Sequence, residues 1–209
     1  MSASTLKIAV LALLASLPTS VSATLIDDAD AGLVVTGTVI TKKCLTHDKN
    51  NADLHLRFTF TNALQQPLIL NKSDIEIERI KYFAFIDEKT DKVHLGELAV
   101  DRLRGYVPEH DCEIVGMRPN NHFVILRPRQ SYVWETTESV PLIPASAGNA
   151  LSAPDEYQVE FELATWVFHD PQLADALGGR WGRFGVLWSD TVWSQPVKFV
   201  FPRNRTCQS

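Results

Sequence analysis

The sequence of 209 residues lacks the short motifs that identify many enzymes. It contains no Gly-x-Ser-x-Gly elbow, no His-Glu-x-x-His zinc motif, no phosphate-binding Gly-Lys-Ser/Thr loop and no dinucleotide-binding glycine pattern. These absences argue against the hydrolase, metalloprotease and nucleotide-binding classes that such motifs mark. A catalytic site assembled from distant residues leaves no local motif, but the balance favours a non-catalytic protein without a cofactor.

Long hydrophobic runs are also scarce, and the N-terminal one, from Ile8 to Ala15, is far shorter than the about 20 residues of a membrane helix. Lys7 precedes it, and small residues stand before Ala23, where a signal peptidase requires them. No Cys follows Ala23, which excludes a lipid anchor at a new N-terminal Cys. We predict a signal peptide over residues 1–23 and a secreted or periplasmic protein without a membrane span. A buried N-terminal helix is the alternative, but the run supplies no polar face.

The chain has little excess charge of either sign. Its formal net charge is -5, and removal of the signal peptide takes away Lys7 and no acid, which gives -6. A mildly acidic chain is not typical of nucleic-acid binding or of attachment to an anionic membrane. Residues 24–209 are enough for one domain with a full core. We predict a single domain.

Cysteine is rare, and the chain contains only Cys44, Cys112 and Cys207. An oxidising destination favours one disulfide and leaves one thiol over. If the first and last strands of a sandwich run parallel and side by side, Cys44 and Cys207 follow neighbouring strand ends. We therefore predict a Cys44–Cys207 disulfide, which in the loop-entropy account adds up to about 5 kcal/mol. Pairing of Cys44 with Cys112 is the alternative. Under the first pairing Cys112 is a free thiol, either inert or reactive beside His110.

Alternation of apolar and polar residues is the strongest positive signal. In "DLHLRFTFTN", residues 53–62, the leucines and phenylalanines fall on one face and the polar residues on the other, which predicts a half-buried strand. In the segment from Asp74 the apolar phase moves from Ile77 to Ile80, which indicates a bulge or a change of sheet. Further strands are predicted from Gly32, Pro67, Lys92, His122, Ser131, Glu156, Phe184 and Gln195. Many short strands predict a sandwich or barrel.

One short helix interrupts this pattern, in "DPQLADALGG". Asp170 is a good N-cap, Pro171 suits the first helical position, and Leu173 and Leu177 lie one turn apart. Gly178 and the glycine after it are expected to end the helix. The prediction is a short helix inserted before the late strands.

The strand layout resembles that of bacterial extracytoplasmic immunoglobulin-like β-sandwich domains. The resemblance rests on "LHLRFTFTNALQQPLIL", "FVILRPRQSYVWETTESVPL" and "VWSQPVKFVFP", and extends from about Leu33 to Pro202. Many of those domains have an x-L-x-P-G turn before an aromatic-bearing strand. Leu126, Pro128, Ser131 and Tyr132 match it, but Arg129 stands where glycine is usual. The resemblance implies an all-β, immunoglobulin-like antiparallel β-sandwich and leaves function open.

The stretch "PEHDCE", residues 108–113, concentrates side chains that bind metals or perform hydrolysis. Zinc sites draw ligands from separated short motifs, because adjacent side chains diverge and cannot close a tetrahedron. The other histidines have no ligand spacing. We predict a polar loop and no metal site, with a metal site as the alternative.

Aromatic residues concentrate late in the chain and provide a second candidate site. It comprises Trp181, Trp188 and Trp193 with Arg180 and Arg183. Exposed Trp rings stack on sugars, and Trp and Arg are enriched at protein interfaces. Packing under the short helix and in the core is the simpler explanation of these aromatics.

Together these features predict a secreted or periplasmic, non-catalytic binding domain, with an extracytoplasmic protein as its partner. Binding through end loops or an exposed strand edge is expected, and inhibition of a protease is one concrete form of it. A carbohydrate-binding module that uses the late Trp residues to hold a polysaccharide is the alternative. A thiol-dependent enzyme centred on Cys112 and His110 is a third hypothesis.

Overall fold

The computed structural model describes residues 32–44, 51–82, 86–87, 92–93, 96–99, 108–141, 156–167 and 169–200. The predicted signal peptide and Cys207 lie outside the described residues. The strands are β1 Leu33–Cys44, β2 Asn51–Asn62, β3 Leu68–Asn71, β4 Glu76–Tyr82, β5 Ile86–Asp87, β6 Lys92–Val93, β7 Gly96–Ala99, β8 Phe123–Leu126, β9 Ser131–Pro141, β10 Glu156–Ala164, β11 Val186–Trp188, β12 Val192–Trp193 and β13 Val197–Val200. The helices are α1 Pro108–Ile114 and α2 Pro171–Trp181. The chain is predominantly β with antiparallel sheets.

The first sheet has the order β1-β2-β9, and both pairs are antiparallel. Its central strand, β2, alternates as predicted, with Leu54, Leu56, Phe58 and Phe60 fully buried and the intervening side chains partly or wholly exposed. Short cross-strand distances within one apolar face explain why this alternation fixes the register.

The second sheet has the order β12-β10-β4-β7, with β13 paired to β10 on the same side as β12. Arg79 of β4 lies opposite Glu162, whereas Ile77 lies opposite Leu163, so Glu78 is an extra residue in the ladder. This bulge keeps Ile77 and Ile80 both in the core despite their odd spacing. The predicted shift of phase in β4 is confirmed.

The third sheet has the order β11-β3-β8 and contains a parallel pair, β11 with β3, which the prediction of an antiparallel fold did not anticipate. Its antiparallel pair, β3 with β8, joins the same chain segments as β2 with β9. The two pairs are separated by a break at residues 63–67 and 127–130. All four residues of β3 are buried, because both faces of this sheet are covered.

The larger core lies between the first and second sheets. The rings of Phe58 and Phe161 meet edge to face across it, with centroids 5.4 Å apart. Tyr157 stacks on Phe199 at 5.1 Å within the same core. Buried side chains from β1, β2, β4, β10 and β13 belong to this one cluster, so burial of aromatic and aliphatic area from both sheets stabilises the fold.

Strands β1 and β13 run side by side, as the disulfide prediction required. A parallel bridge joins Val35 to Ser194, and the N–H of Gln195 donates to the carbonyl of Val35 at 2.7 Å. Farther along, the ammonium of Lys42 donates to the carbonyl of Val200. The backbone of Cys44 follows in β1, but its side chain and Cys207 are outside the described part, so the pairing stays a prediction.

A second, smaller core lies on the opposite face of the third sheet, under both helices. Ile69, Phe123 and Trp166 contribute to it, together with Ile114 of α1 and the buried face of α2. Helix α2 begins as predicted, with the carboxylate of Asp170 accepting from the N–H of Gln172 at 2.9 Å.

The predicted end of α2 at Gly178 was wrong, because the helix continues to Trp181. Trp181 is fully buried, and its packing outweighs the helix-breaking tendency of the two glycines.

The prediction of a loop at "PEHDCE" was also wrong, since residues 108–114 form α1. Pro108 occupies the first helical position, and Ile114 is anchored in the second core. Neither described helix is long and apolar enough to cross a membrane.

Candidate functional site

Helix α1 carries the "PEHDCE" residues to two histidines from other parts of the chain. Nδ1 of the buried His169 lies 3.1 Å from a carboxylate oxygen of Asp111. On the other side of the ring, Nε2 lies 3.8 Å from Asp74, whose carboxylate accepts from the N–H of Val167 at 2.6 Å. This buried cluster links α1 to the segments before β4 and α2.

A second, exposed cluster lies beside it. Nδ1 of His122 is 3.1 Å from the hydroxyl of Ser73, and Nε2 is 3.5 Å from the carboxylate of Glu113. The three residue types are those of a Ser-His-Glu triad, but the hydroxyl faces Nδ1 and the carboxylate faces Nε2, the reverse of the catalytic arrangement. The side chain of Glu113 is also 63% exposed. Because water competes for such exposed contacts, they contribute little to activating the Ser73 hydroxyl as a nucleophile.

Neither cluster has the form of a metal site. Asp111 and Asp74 approach different nitrogens of His169, and so their carboxylates do not converge on one point. Within the described residues, no group of three or more His, Cys, Asp or Glu side chains has an arrangement that could hold a metal ion. Cys112 lies on α1 as an exposed free thiol. The side chain of His110 lies outside the described part, so the thiol-dependent enzyme stays a hypothesis.

The late Trp residues occupy three different environments and do not form one platform. Trp181 is fully buried, and its indole N–H donates to the carbonyl of Gly116 at 2.9 Å. Trp188 is half-buried against the larger core. Trp193 is half-buried in the second sheet, where the ammonium of Lys81 lies 5.8 Å from the centroid of its ring. Trp181 therefore cannot stack on a ligand, and this part of the predicted binding site is corrected.

The two arginines of that predicted site are exposed but serve local contacts. The guanidinium of Arg180 lies 3.5 Å from the carbonyl of Gly116, beside the indole of Trp181. The guanidinium of Arg183 lies 4.7 Å from the centroid of the Phe184 ring. These contacts place both arginines at the helical layer, away from Trp193 in the second sheet.

The accessible feature that sequence reasoning did not locate is the outer edge of β9. No described strand pairs with this edge, which is 11 residues long. On one side of β2, the N–H of Ala63 donates to Gly32. On the other, the N–H of Asn62 donates to Gln130. In an antiparallel sheet, successive residues of a strand direct their backbone N–H and C=O groups alternately to one side and to the other. The bond to Gln130 therefore shows that even-numbered residues of β9 bond to β2. The odd-numbered residues 133–139 direct their N–H and C=O groups outward.

Side chains hold this edge strand rigidly in place. Trp134 stacks on the buried Phe58, with ring centroids 5.8 Å apart. On the solvent face, Arg57 of β2 donates to the carboxylate of Glu135 at 2.7 Å. This hydrogen bond holds the pKa of the Glu135 carboxyl below its ordinary value, so Glu135 is ionised and paired with Arg57 at neutral pH.

A turn before β9 forms a shallow depression at the start of the edge. Its volume is about 540 Å³, and Ile125, Arg127, Pro128, Arg129 and Gln130 line it. Buried Asn62 fixes the turn through two hydrogen bonds. Its side-chain NH2 group donates to the carbonyl of Leu126 at 2.9 Å, and its backbone carbonyl accepts from the N–H of Arg129 at 2.9 Å. Arg129 has φ 65, the left-handed conformation for which glycine is usual at this position.

Sequence reasoning noted the arginine at that position only as a departure from the turn pattern. A bulky side chain in place of glycine costs backbone energy, so its presence was a signal for a role of the side chain. The nearby Arg127 strengthens this signal, since two arginines within three residues concentrate positive charge.

Comparisons with known proteins add no evidence on function. No family model matches the chain, and no curated protein matches it. Among solved structures, the chain is similar to a protein determined by X-ray crystallography as a target of the Northeast Structural Genomics Consortium. The match covers 85% of this chain and 91% of that chain, with 8% sequence identity and a TM-score of 0.28. A score this low does not indicate a shared fold.

Proposed function

We propose that this chain is a secreted or periplasmic, non-catalytic domain of the immunoglobulin-like β-sandwich type that binds a protein partner by adding a strand to β9. The observation that carries the proposal is the outer edge of this strand, 11 residues long, with which no other strand pairs in the part of the chain that the structure describes. In strand addition, main-chain hydrogen bonds supply affinity, and alternate side chains supply specificity.

The edge is exposed and already ordered, which favours binding of an extended segment. Its outward groups belong to residues 133–139, where Val133 is 50% exposed. Because Trp134 and Arg57 already fix the strand, an incoming segment does not have to order it, and less entropy is lost on binding. The exposed ion pair of Glu135 with Arg57 places charged side chains at the edge strand, which disfavours non-specific pairing between copies.

We prefer this function to carbohydrate binding. The polysaccharide hypothesis required a platform of exposed Trp rings, whereas Trp181 is buried and Trp193 lies beneath the ammonium of Lys81. The β9 edge offers backbone donors and acceptors, which recognise an extended polypeptide better than a sugar ring.

Thr137→Pro is expected to lower retention of an extracytoplasmic partner at least about tenfold. Thr137 lies opposite His55 in the β2 ladder, but its N–H points outward. Proline removes this N–H and places its ring at the edge, where proline is tolerated within a folded sheet. Quantitative pull-down from an extracytoplasmic extract measures the effect, and denaturant unfolding verifies that stability changes by no more than about 1 kcal/mol.

Thr137→Ala is the matched control, because it alters the same side chain and keeps the N–H. It should retain the partner at the level of the unmodified protein. If partners bind Thr137→Pro as well as they bind Thr137→Ala, the β9 edge is not the binding surface. If no partner is recovered by the unmodified protein from any extracytoplasmic extract, the protein-binding proposal fails.

We also propose that the disulfide between Cys44 and Cys207 fastens the C-terminal segment. Support comes from the parallel course of β1 and β13: the ammonium of Lys42, two residues before the end of β1, donates to the carbonyl of Val200, the last residue of β13. The folded mature protein is expected to react with one equivalent of a thiol reagent, at the exposed Cys112. Unfolding without a reductant should leave this number unchanged, and reduction should raise it to the three thiols of the sequence.

Cys112→Ser is the control for the thiol count, since the folded and unfolded forms should then be unreactive until reduced. Three reactive thiols in the unfolded, unreduced protein would show that no disulfide exists. Peptide mapping identifies the partner of Cys44 directly, and a Cys44–Cys112 peptide would establish the alternative pairing.

A further inference from the structure

The depression before β9 is positively charged and lies at the end of the free edge. Arg127 and Arg129 line it together with the half-exposed Ile125. Neither guanidinium pairs with a carboxylate in the described part of the chain. Arginine donors bind carboxylates in fixed, charge-assisted geometry. We propose that this depression binds the C-terminal carboxylate of an extended segment of the partner, paired antiparallel with β9; the proposal rests on the strand-addition function above.

The direction of the paired segment follows from the position of the depression. Residues 127–130 directly precede Ser131, the first residue of β9. A strand that is antiparallel to β9 runs from the Pro141 end toward Ser131, so its C-terminal end arrives at the arginines. A parallel strand would bring its N-terminal ammonium there, against two positive charges. Charge complementarity therefore selects the antiparallel orientation.

The break in the sheet explains why the segment ends at this point. Ladder pairing stops at the turn of residues 127–130, and β8 resumes it on the far side with a changed register. The turn itself bends back, with the N–H of Gln130 donating to the carbonyl of Arg127 at 2.9 Å. The turn therefore interrupts the edge, and a straight paired strand meets the two arginines before the edge resumes at β8. A free C-terminus fits this geometry better than an acidic side chain in the middle of a longer strand.

The conformation of Arg129 supports a role for its side chain. Its φ of 65 lies in the left-handed region, which is unfavourable for residues with a Cβ atom. Glycine would adopt this conformation without strain. The backbone is held by the hydrogen bond from the N–H of Arg129 to the backbone carbonyl of Asn62, and Arg129 is one of the residues that line the depression. The arginine thus opposes local stability, and this is the pattern expected of a binding residue.

The test uses two displayed libraries of random peptides of about seven residues, a length that fits a typical strand. One library ends in a free carboxylate, and in the other a Gly-Ser tail follows each peptide. The full mature protein is the bait. The best peptide is then synthesised as the free acid and as the C-terminal amide, and its dissociation constants are measured by fluorescence polarisation.

Enrichment is expected only from the library with free C-termini, and the amide should bind at least about tenfold more weakly than the acid. Arg129→Gly and Arg127→Gln should each weaken binding of the acid but hardly change binding of the amide. Arg129→Gly should also unfold at the same or a higher denaturant concentration. Arg180→Gln is the matched control, since it removes an exposed arginine of the helical layer and should bind the acid normally.

The failing outcomes separate this inference from the proposed function. If acid and amide bind equally, or the Arg127 and Arg129 variants bind like the unmodified protein, carboxylate capture is wrong. Loss of the same peptide by Thr137→Pro would in that case still support strand addition. If neither library yields a binder, carboxylate capture is also overturned, and the separate partner experiment with Thr137→Pro decides on the edge. A peptide that binds Thr137→Pro normally overturns both.

Discussion

Trp181→Ala is expected to lower the free energy of unfolding by about 3–5 kcal/mol. Trp181 is fully buried and meets the ring of Phe123 edge to face, with centroids 4.9 Å apart. Truncation leaves a cavity in the smaller core and removes the indole N–H that donates to the carbonyl of Gly116 at 2.9 Å. Denaturant unfolding followed by far-UV circular dichroism measures the loss.

Trp181→Phe is the control that separates the ring from its hydrogen bond. It keeps most of the aromatic packing and loses only the indole N–H, so a smaller loss of about 1–2 kcal/mol is expected. A change below about 1 kcal/mol for Trp181→Ala would contradict the packing of α2 against the third sheet. Such a result would also restore Trp181 as a candidate for ligand contact.

Phe58→Ala is expected to destabilise the protein by a similar amount, about 3–5 kcal/mol. Phe58 is fully buried at the centre of β2. The centroid of its ring lies 5.4 Å from that of Phe161 in the second sheet and 5.8 Å from that of Trp134 in β9. Loss of the ring therefore affects both the packing between the sheets and the anchoring of the edge strand. Equilibrium unfolding in denaturant gives the change.

Phe58→Leu is the matched control, because it retains apolar volume and should cost less than about 1.5 kcal/mol.

The comparison of Phe58→Ala with Trp181→Ala also tests the predicted single domain. If both cores unfold together, each substitution shifts the same single transition. Two separate transitions, each responding to one substitution, would show that residues 24–209 do not behave as one unit.

Where a local pattern determined the structure, the sequence was a good guide. The alternation in β2 predicted its buried face. The odd spacing of Ile77 and Ile80 predicted a bulge or a change of sheet, and the structure has a bulge at Glu78. Asp170 and Pro171 predicted the start of α2. In each case the physical cause lies within a few neighbouring residues: the period of two in a strand, or the need of a helix terminus for a hydrogen-bond acceptor.

The remaining features depend on contacts between distant segments. Helix α1 forms because Ile114 is buried against β3 and β8, and this contact cannot be read from "PEHDCE" alone. The meeting of Asp111 with His169 has the same origin. The position of β9 at the edge follows from the order of the described strands in the sheet, and the local pattern of Ser131–Pro141 does not distinguish an edge from a centre.

The third sheet has a consequence for how sequences of this fold can diverge. Both faces of β3 are covered, so that Leu68 and Leu70 belong to the larger core, while Ile69 belongs to the smaller one. A substitution that changes the volume of any of these side chains has no solvent face on which to be accommodated. We expect related chains to vary β3 only in concert with residues that touch it. Natural variation in the larger core and in the smaller core under the helices would therefore be correlated through this short strand.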